Sequence, residues 1–98
     1  MLKKSYNKSG SSCRVTFKLP AEVEAETAVL CGEFNSWNPT TNPMKKLKDG
    51  SFSTGVSLKS GKSYRFRYLL DGNRWENDWE ADHYAPNEHG SEDSVVEV

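Results

Sequence analysis

The chain has 98 residues, of which 35% are hydrophobic, 11% are aromatic and 28% are charged, and its net charge is −1. These totals predict one globular domain with a modest core, and the near-neutral charge argues against a general nucleic-acid binder. No apolar run approaches the roughly 18 residues of a membrane span, so membrane insertion is not expected.

The N-terminal segment 1–12 is polar and contains lysines and a run of Ser and Gly. This composition predicts a flexible arm, although Leu2 and Tyr6 could dock on the edge of a sheet. The basic start lacks the apolar stretch of a secretory signal, which favours the cytoplasm as the location. A single folded domain is therefore expected over residues 13–98.

The first two strands are predicted by alternation. Cys13–Leu19 alternates apolar and polar residues, as in a strand with one wet face, and a proline ends it. Residues 21–26 form an acidic connection that is too short to hold a helix by itself. Thr27–Phe34 is the next predicted strand, in which Gly32 marks a bulge or a close backbone approach. Residues 35–43 are a loop by composition.

The two cysteines are expected to stay free. Cys13 has the parity of the inward residues of its strand, whereas Cys31 has the opposite parity to the inward Ala28 and Leu30. Side chains of opposite parity point to opposite faces of a sheet, so Cys13 and Cys31 should not form a disulfide. No cysteine pair has the spacing of a metal site.

The middle of the chain contains two hairpin signals. Met44–Lys48 and Phe52–Leu58 are predicted strands joined by an Asp-Gly turn. Tyr64–Leu70 alternates, which puts its aromatic residues in the core and Arg67 on the outer face. Asp71-Gly72 then predicts a second tight turn, because Gly adopts positive φ without a Cβ clash.

The C-terminal part begins with a polar and irregular stretch, residues 76–90, and ends in a short strand at residues 95–98. Trp79 and Tyr84 within the polar stretch could cover a sheet edge, extend a binding surface or pack on each other, and structural packing is the favoured interpretation. The sum is about seven short strands without a convincing helix, which predicts an all-β fold, a small antiparallel β-sandwich.

The register of the second hairpin decides where Trp75 points. A loop of three residues after Leu70 would place Trp75 opposite Leu69, on the Arg67 face. A loop of four residues would pair Trp75 with Leu70, on the core face. The residues alone leave both registers open.

The acidic stretch Asp78–His83 suggests two other kinds of site, and we interpret it as neither. It contains oxygen ligands and a histidine, but it lacks the ligand spacing and the glycine of a Ca²⁺ loop, so no metal site is expected. Paired acids also occur in glycosidases, but these acids crowd one segment and a small sandwich has little room for a cleft. We expect no enzyme activity and no cofactor.

Two tryptophans and one arginine are the candidate binding residues. Trp37 lies in a polar loop with little apolar company, which favours exposure over burial. An exposed Trp offers an apolar face to the C–H groups of a pyranose, while polar groups bond its hydroxyl rim. Trp37, Arg67 and Trp75 therefore predict a sugar-binding platform, although a solvated strand charge is the commoner fate of an outward Arg.

Three segments together resemble a known family. Gly32-Glu33-Phe34-Asn35-Ser36-Trp37, the strand and turn Tyr64–Trp75, and the final segment Gly90–Val98 resemble, in order, motifs of carbohydrate-binding module family 48. That family includes the N-terminal domains of isoamylase and of glycogen branching enzymes, and the glycogen-binding domain of the AMP-activated protein kinase β-subunit. The resemblance covers residues 13–98. It implies an immunoglobulin-like β-sandwich of the early set type and non-catalytic binding of α-1,4-glucan.

The resemblance also implies a set of sugar-contacting residues. Trp37 and Trp75 match the two stacking tryptophans, and Arg67 stands where the kinase-type domain has a lysine. His89 stands where that domain has a leucine, and Asp93 where it has an asparagine. The implied carbohydrate-binding residues are thus Trp37, Arg67, Trp75, His89, Ser91 and Asp93.

Two functions of different classes follow as expectations. The first is a monomeric domain that binds glycogen, starch or malto-oligosaccharide by tryptophan stacking. The second is a protein-interaction module of the same fold that docks to a glycogen-metabolism enzyme and has lost sugar binding, with its exposed aromatic residues as interface contacts.

Overall fold

The computed structural model describes residues 2–98, which form two antiparallel sheets packed face to face. The strands are β1 (Leu2–Tyr6), β2 (Ser12–Leu19), β3 (Ala28–Gly32), β4 (Lys45–Lys46), β5 (Phe52–Lys59), β6 (Ser63–Leu70), β7 (Arg74–Glu76), β8 (His83–Pro86) and β9 (Glu92–Glu97). The first sheet has the order β1-β2-β5-β4, and the second has the order β3-β6-β9-β8. β7 pairs with the second half of β6. No helix in the described residues is long and apolar enough to cross a membrane.

The core lies between the two sheets and follows the predicted alternation. The inward side chains of β2 and β6 are almost fully buried: Cys13, Val15, Phe17, Leu19, Phe66, Tyr68 and Leu70. The rings of Phe17 and Phe66 meet edge to face across the core at 5.0 Å between centroids. The predicted all-β sandwich is confirmed, since each sheet contributes one apolar face.

The N-terminal arm is a correction. The segment 1–12 was expected to be a flexible arm from which Leu2 and Tyr6 could dock on a sheet edge. Residues 2–6 instead form a full edge strand, β1, which pairs in register with β2 from Leu2 opposite Phe17 to Tyr6 opposite Cys13. The pairing satisfies backbone groups that β2 would otherwise leave open at the sheet edge. Only Leu2 packs against the core, so the segment carries almost no apolar signal.

The C-terminal polar stretch is a second correction, because β8 lies inside the region that was predicted to be irregular. His83–Pro86 pairs with β9 at the edge of the second sheet. Both faces of an edge strand can meet water, and an edge tolerates proline, so neither alternation nor composition marks it. With β1 and β8, the described residues contain nine strands rather than about seven.

β3 also ends earlier than predicted, at Gly32, and Glu33–Asn35 forms a single 3₁₀ turn. The predicted close approach at Gly32 is confirmed. A Cβ atom there would lie 2.7 Å from the carbonyl oxygen of Arg65 and 2.8 Å from the ring of Phe34. Glycine at this position therefore allows the Phe34 ring to pack beneath the turn that leads to the Trp37 loop.

The two cysteines are free and lie in different sheets. Cys13 belongs to the core, whereas Cys31 is buried on the opposite face of the second sheet, opposite Arg67 in the β3–β6 ladder. Burial raises the pKa of the Cys31 thiol. The predicted difference in facing is confirmed.

The acidic stretch after β7 is held by hydrogen bonds to the protein. The buried Asp78 accepts a hydrogen bond from the Tyr68 hydroxyl at 2.7 Å, and its N–H donates to the Ser94 hydroxyl at 2.8 Å. Burial and the adjacent carboxylate raise the pKa of Tyr68 well above its usual range. Asp82 accepts from Lys4 Nζ at 2.7 Å. These acids fasten the segment to the sandwich.

Candidate functional site

The candidate site lies on the outer face of the second sheet. Strand alternation turns Arg65, Arg67 and Leu69 of β6 away from the core. The neighbouring loops rise around this face, one after β3 and one between β8 and β9. They enclose a cleft of about 490 Å³ above Arg67.

Seven residues line the cleft: Trp37, Arg67, Trp75, Asn87, Glu88, His89 and Asp93. They come from five places in the chain, namely the loop after β3, β6, β7, the β8–β9 loop and β9. Five of the six residues that the sequence predicted are among them. Ser91 is the sixth, and it lies outside the lining.

Trp37 reaches the cleft through an unusual backbone. Ser36 and Trp37 both adopt the left-handed conformation, with φ of 57° and 58°. This region costs a non-glycine residue roughly 1–2 kcal/mol. The Trp37 N–H donates to the Gly32 carbonyl at 2.8 Å, which returns the chain toward β3. The side chain is half-buried rather than fully exposed.

Asn35 holds the loop that carries Trp37. Its Nδ2 donates to the Leu30 carbonyl at 3.0 Å and to Asn42 Oδ1 at 2.7 Å, and its Oδ1 accepts from the Gly32 N–H at 3.0 Å. The side chain thus connects both ends of the loop to β3. This is the local bonding for which Asn is favoured in turns.

Trp75 faces the cleft because the hairpin loop has three residues. Leu69 pairs with Trp75 and Leu70 with Arg74, so the register that places Trp75 on the Arg67 face is the observed one. Trp75 is 45% exposed. It lies diagonally from Arg67 across the ladder, a separation of about 7–8 Å that an aromatic side chain can span.

The two outward arginines of β6 have different surroundings. Arg65 Nη1 donates to the Pro86 carbonyl at 3.1 Å and to Asp93 Oδ2 at 3.3 Å. Arg67 is half-buried, and among residues 2–98 its Nε is a buried atom without a hydrogen-bond partner. A buried donor of this kind is costly unless another group satisfies it. Arg65 is thus engaged by the protein, whereas Arg67 lines the cleft and its buried Nε has no partner among the described residues.

Asn87 shapes the loop on the other side of the cleft. Its Oδ1 accepts from the N–H of His89 at 3.0 Å and of Ser91 at 3.2 Å, while its Nδ2 donates to Ser91 Oγ at 3.0 Å and Asp93 Oδ1 at 3.1 Å. Gly90 completes the turn with φ of 80°. Ser91 is therefore bonded within the loop rather than presented to the cleft.

Asp93 and His89 occupy opposite extremes of exposure. Asp93 is 7% exposed, and its two carboxylate oxygens accept from Asn87 and Arg65. A carboxylate has further lone-pair sites, so it can still accept from a ligand hydroxyl. The His89 side chain is 82% exposed, with Nε2 3.9 Å from Glu88 Oε1.

The cleft has the composition of a site for a neutral, hydroxylated ligand. Two indole rings supply apolar area, while guanidinium, amide and carboxylate groups supply donors and acceptors. Among the described residues, no three His, Cys, Asp or Glu side chains are grouped as metal ligands would be.

A family comparison agrees with this description. The family model "Carbohydrate-binding module 48 (Isoamylase N-terminal domain)" matches residues 5–85, most of the chain. The chain belongs to this family. A search of curated proteins gives no match. The family is one of carbohydrate-binding modules, which are generally non-catalytic, and its immunoglobulin-like sandwich is the fold described above.

Two lining residues of this carbohydrate-binding module, Asn87 and Glu88, were missed by sequence reasoning. The pattern Asn87-Glu88-His89-Gly90 is a turn signal, because Asn bonds the backbone two residues on and Gly adopts positive φ. That signal predicts a turn but not the surface that the turn covers. The position of the loop above Arg67 depends on the pairing of β8 with β9.

The interpretation of Trp79 as a packing residue is wrong. Trp79 is 52% exposed, more than Trp75, and lies outside the first cleft. Its Nε1 donates to Glu76 Oε2 at 2.9 Å. Tyr84 does serve the structure, since its hydroxyl donates to the Asp78 carbonyl and accepts from the Ala81 N–H.

Proposed function

We propose that this carbohydrate-binding module binds α-1,4-glucan without catalysis, as glycogen, starch or malto-oligosaccharide, in the cleft above Arg67. Trp37 and Trp75 stack against successive glucose units, and Arg67 bonds their hydroxyl groups. Asp93 and the residues of the β8–β9 loop contact the rim of the chain.

The observation that carries the proposal is the surroundings of Arg67. Arg67 lines a cleft flanked by two indole rings, and its buried Nε lacks a protein partner within residues 2–98. Sugar hydroxyl oxygens accept hydrogen bonds from a guanidinium, while sugar C–H groups approach the indole faces. One ligand class therefore fits both the guanidinium and the indole rings that line the cleft.

The backbone of Trp37 gives independent support. A large side chain in the left-handed region is disfavoured, and such outliers concentrate at functional sites. Ser36 and Trp37 in succession form the sharp bend that brings the indole to the cleft. The choice of α-1,4-glucan among carbohydrates rests on the motif resemblance of the segments that carry Trp37 and Trp75.

Binding should be weak because the surface is shallow. Stacking contributes about 1–3 kcal/mol per ring by analogy with base stacking, and the entropy lost on association offsets part of it. Millimolar affinity, about −4 kcal/mol, is the expected range for a short oligosaccharide.

The test is tryptophan fluorescence during titration with maltoheptaose and with β-cyclodextrin. A Trp79→Phe background leaves Trp37 and Trp75 as the only reporters. We expect a saturable change that is lost on adding Trp75→Ala and weakened at least tenfold by Arg67→Ala. Tyr6→Ala, which removes another exposed aromatic residue outside the cleft, should leave the titration unchanged.

A flat titration up to tens of millimolar, well above ~1 mM, would contradict the proposal. The same surface would then be a docking site for a protein, such as a glycogen-metabolism enzyme, with its exposed rings as contacts. Well-dispersed amide NMR spectra of each variant would show that lost binding is not lost folding.

A further inference from the structure

A second cleft lies away from the first and shares none of its lining residues. It has a volume of about 410 Å³, close to that of the first cleft. Its lining comes from the end of β2, the following connection, the β4–β5 turn and the segment after β7, namely Lys18, Leu19, Pro20, Glu22, Asp49, Ser51, Trp79 and Glu80.

Trp79 in this cleft is exposed but held in place. The residue before it, Asp78, is buried and bonded to Tyr68 and Ser94, so the backbone is fastened to the sandwich. The indole N–H donates to Glu76 Oε2 at 2.9 Å, which restrains the ring. A restrained ring loses little side-chain entropy when a ligand stacks on it.

The other lining groups supply an apolar floor and a polar rim. Leu19 is 1% exposed and lies beside Pro20, while Glu22, Asp49 and Glu80 offer carboxylate acceptors. Asp49 already accepts from the N–H and hydroxyl of Ser51, and these bonds lower the pKa of its carboxyl. It is therefore ionised at neutral pH.

The charges favour a neutral ligand rich in hydroxyl groups. One lysine and three carboxylates line the cleft, so a phosphate-bearing ligand would be repelled. Hydroxyl groups of a sugar can donate to carboxylates while its C–H face meets an indole. The second cleft thus repeats the chemistry of the first with different residues.

We propose that the cleft at Trp79 is a second glucan-binding site, in which Trp79 stacks on a glucose unit and Glu80 and Glu22 accept from its hydroxyls. The identity of the sugar rests on the proposed function of the first cleft. Two sites on one domain can hold two segments of one polymer, which raises the apparent affinity for glycogen or amylose above that of either site alone.

The test uses Trp79 as the only fluorescent reporter. In a Trp37→Phe/Trp75→Phe background, titration with maltoheptaose should give a saturable change of Trp79 emission. Adding Glu80→Gln should weaken the affinity for maltoheptaose at this site several-fold. Adding Glu26→Gln, an exposed glutamate outside both clefts, should leave it unchanged.

The two proposals fail separately. A flat Trp79 titration at tens of millimolar, or a titration insensitive to Glu80→Gln, overturns the second site whatever the first cleft does. A saturable Trp79 response with no response of Trp37 and Trp75 would keep the second site and contradict the first. With both sites active, Trp79→Ala should also reduce retention on immobilised amylose several-fold.

Discussion

At the scale of single residues, the site depends on side chains placed where the backbone does not favour them. Trp37 is in the left-handed region, where glycine is the least strained residue. Local preference alone would not select an indole here. We therefore connect the indole at this position with the cleft that it lines rather than with the turn itself.

Substitutions of Trp37 separate backbone strain from binding. The free energy of unfolding of Trp37→Gly should be about 1 kcal/mol higher than that of Trp37→Ala, because glycine has no Cβ to strain at φ of 58°. Both variants should lose glucan binding equally. Urea denaturation measures the first quantity, and an alanine variant at least as stable as the glycine variant would show that position 37 carries no strain.

At the scale of elements, the β8–β9 loop is a turn that lies over the first cleft. A similar turn joins β1 and β2 at the other edge of the structure. In both turns the N–H of an Asn donates to the carbonyl of a Ser four or five positions on, and a Gly N–H donates to the Asn carbonyl: Asn7 with Ser12 and Gly10, and Asn87 with Ser91 and Gly90. Only the second turn lines the first cleft.

This pair of turns provides a matched comparison. Asn87→Ala removes the bonds that hold the N–H groups of His89 and Ser91 and the carboxylate of Asp93, so the cleft wall should loosen. We expect maltoheptaose affinity to fall about five- to tenfold, or about 1–1.4 kcal/mol.

The control is Asn7→Ala, which removes a side-chain bond to the Ser12 N–H in a turn remote from the cleft. It should leave affinity unchanged. Equal losses for Asn7→Ala and Asn87→Ala would mean that the effect is one of general stability. Fluorescence titration with maltoheptaose in the Trp79→Phe background measures the affinity of both Asn variants.

At the scale of the whole molecule, Asp82 joins the two sheets. Its Oδ2 accepts from Lys4 Nζ of β1 at 2.7 Å and from the Glu97 N–H of β9 at 2.6 Å. Burial raises the pKa of the Asp82 carboxyl, but the Glu97 N–H and the Lys4 ammonium outweigh it, and the pKa lies below the ordinary 3.8. The N-terminal strand is thereby tied to the opposite sheet.

The lowered pKa of Asp82 gives a pH dependence of stability. A carboxyl whose pKa is lower in the folded state stabilises the fold above its unfolded value of 3.8, and this contribution is lost as the pH falls through the folded value. Asp82→Asn should be less stable than the unsubstituted protein at pH 7, and the difference should shrink as the pH falls below 3.8.

Thermal denaturation across that pH range measures the effect. Lys4→Gln, which removes the cation from the same contact, should lose part of the same stability at pH 7, and this loss should also shrink as the pH falls below 3.8. A difference for Asp82→Asn that is constant with pH would show that the ionised carboxylate of Asp82 does not carry the contact.

Alternation and turn chemistry were sufficient to predict the buried faces of the central strands and the turn between β6 and β7. The inward residues of β2 and β6, the hairpin at Asp71-Gly72 and the close approach at Gly32 are all as the sequence predicts. These features are local, because a period of two and a glycine of special conformation are visible within a few residues. Edge strands β1 and β8 have no such signal, since few of their side chains are buried.

Alternation, turn residues and the family motifs are enough to predict the sandwich, the family and the candidate sugar-contacting residues. How these candidates meet depends on the folded structure. Three features matter: the three-residue loop that turns Trp75 outward, the Asn87 bonds that hold Ser91, and the bond of Arg65 to Asp93, while the Nε of Arg67 has no partner within residues 2–98. Each of these depends on pairing between segments distant in the chain. Pairing between distant segments decides which side chains share a face of the sheet and which hydrogen-bond donors lack a protein partner. A pattern within a few residues predicts neither of these features.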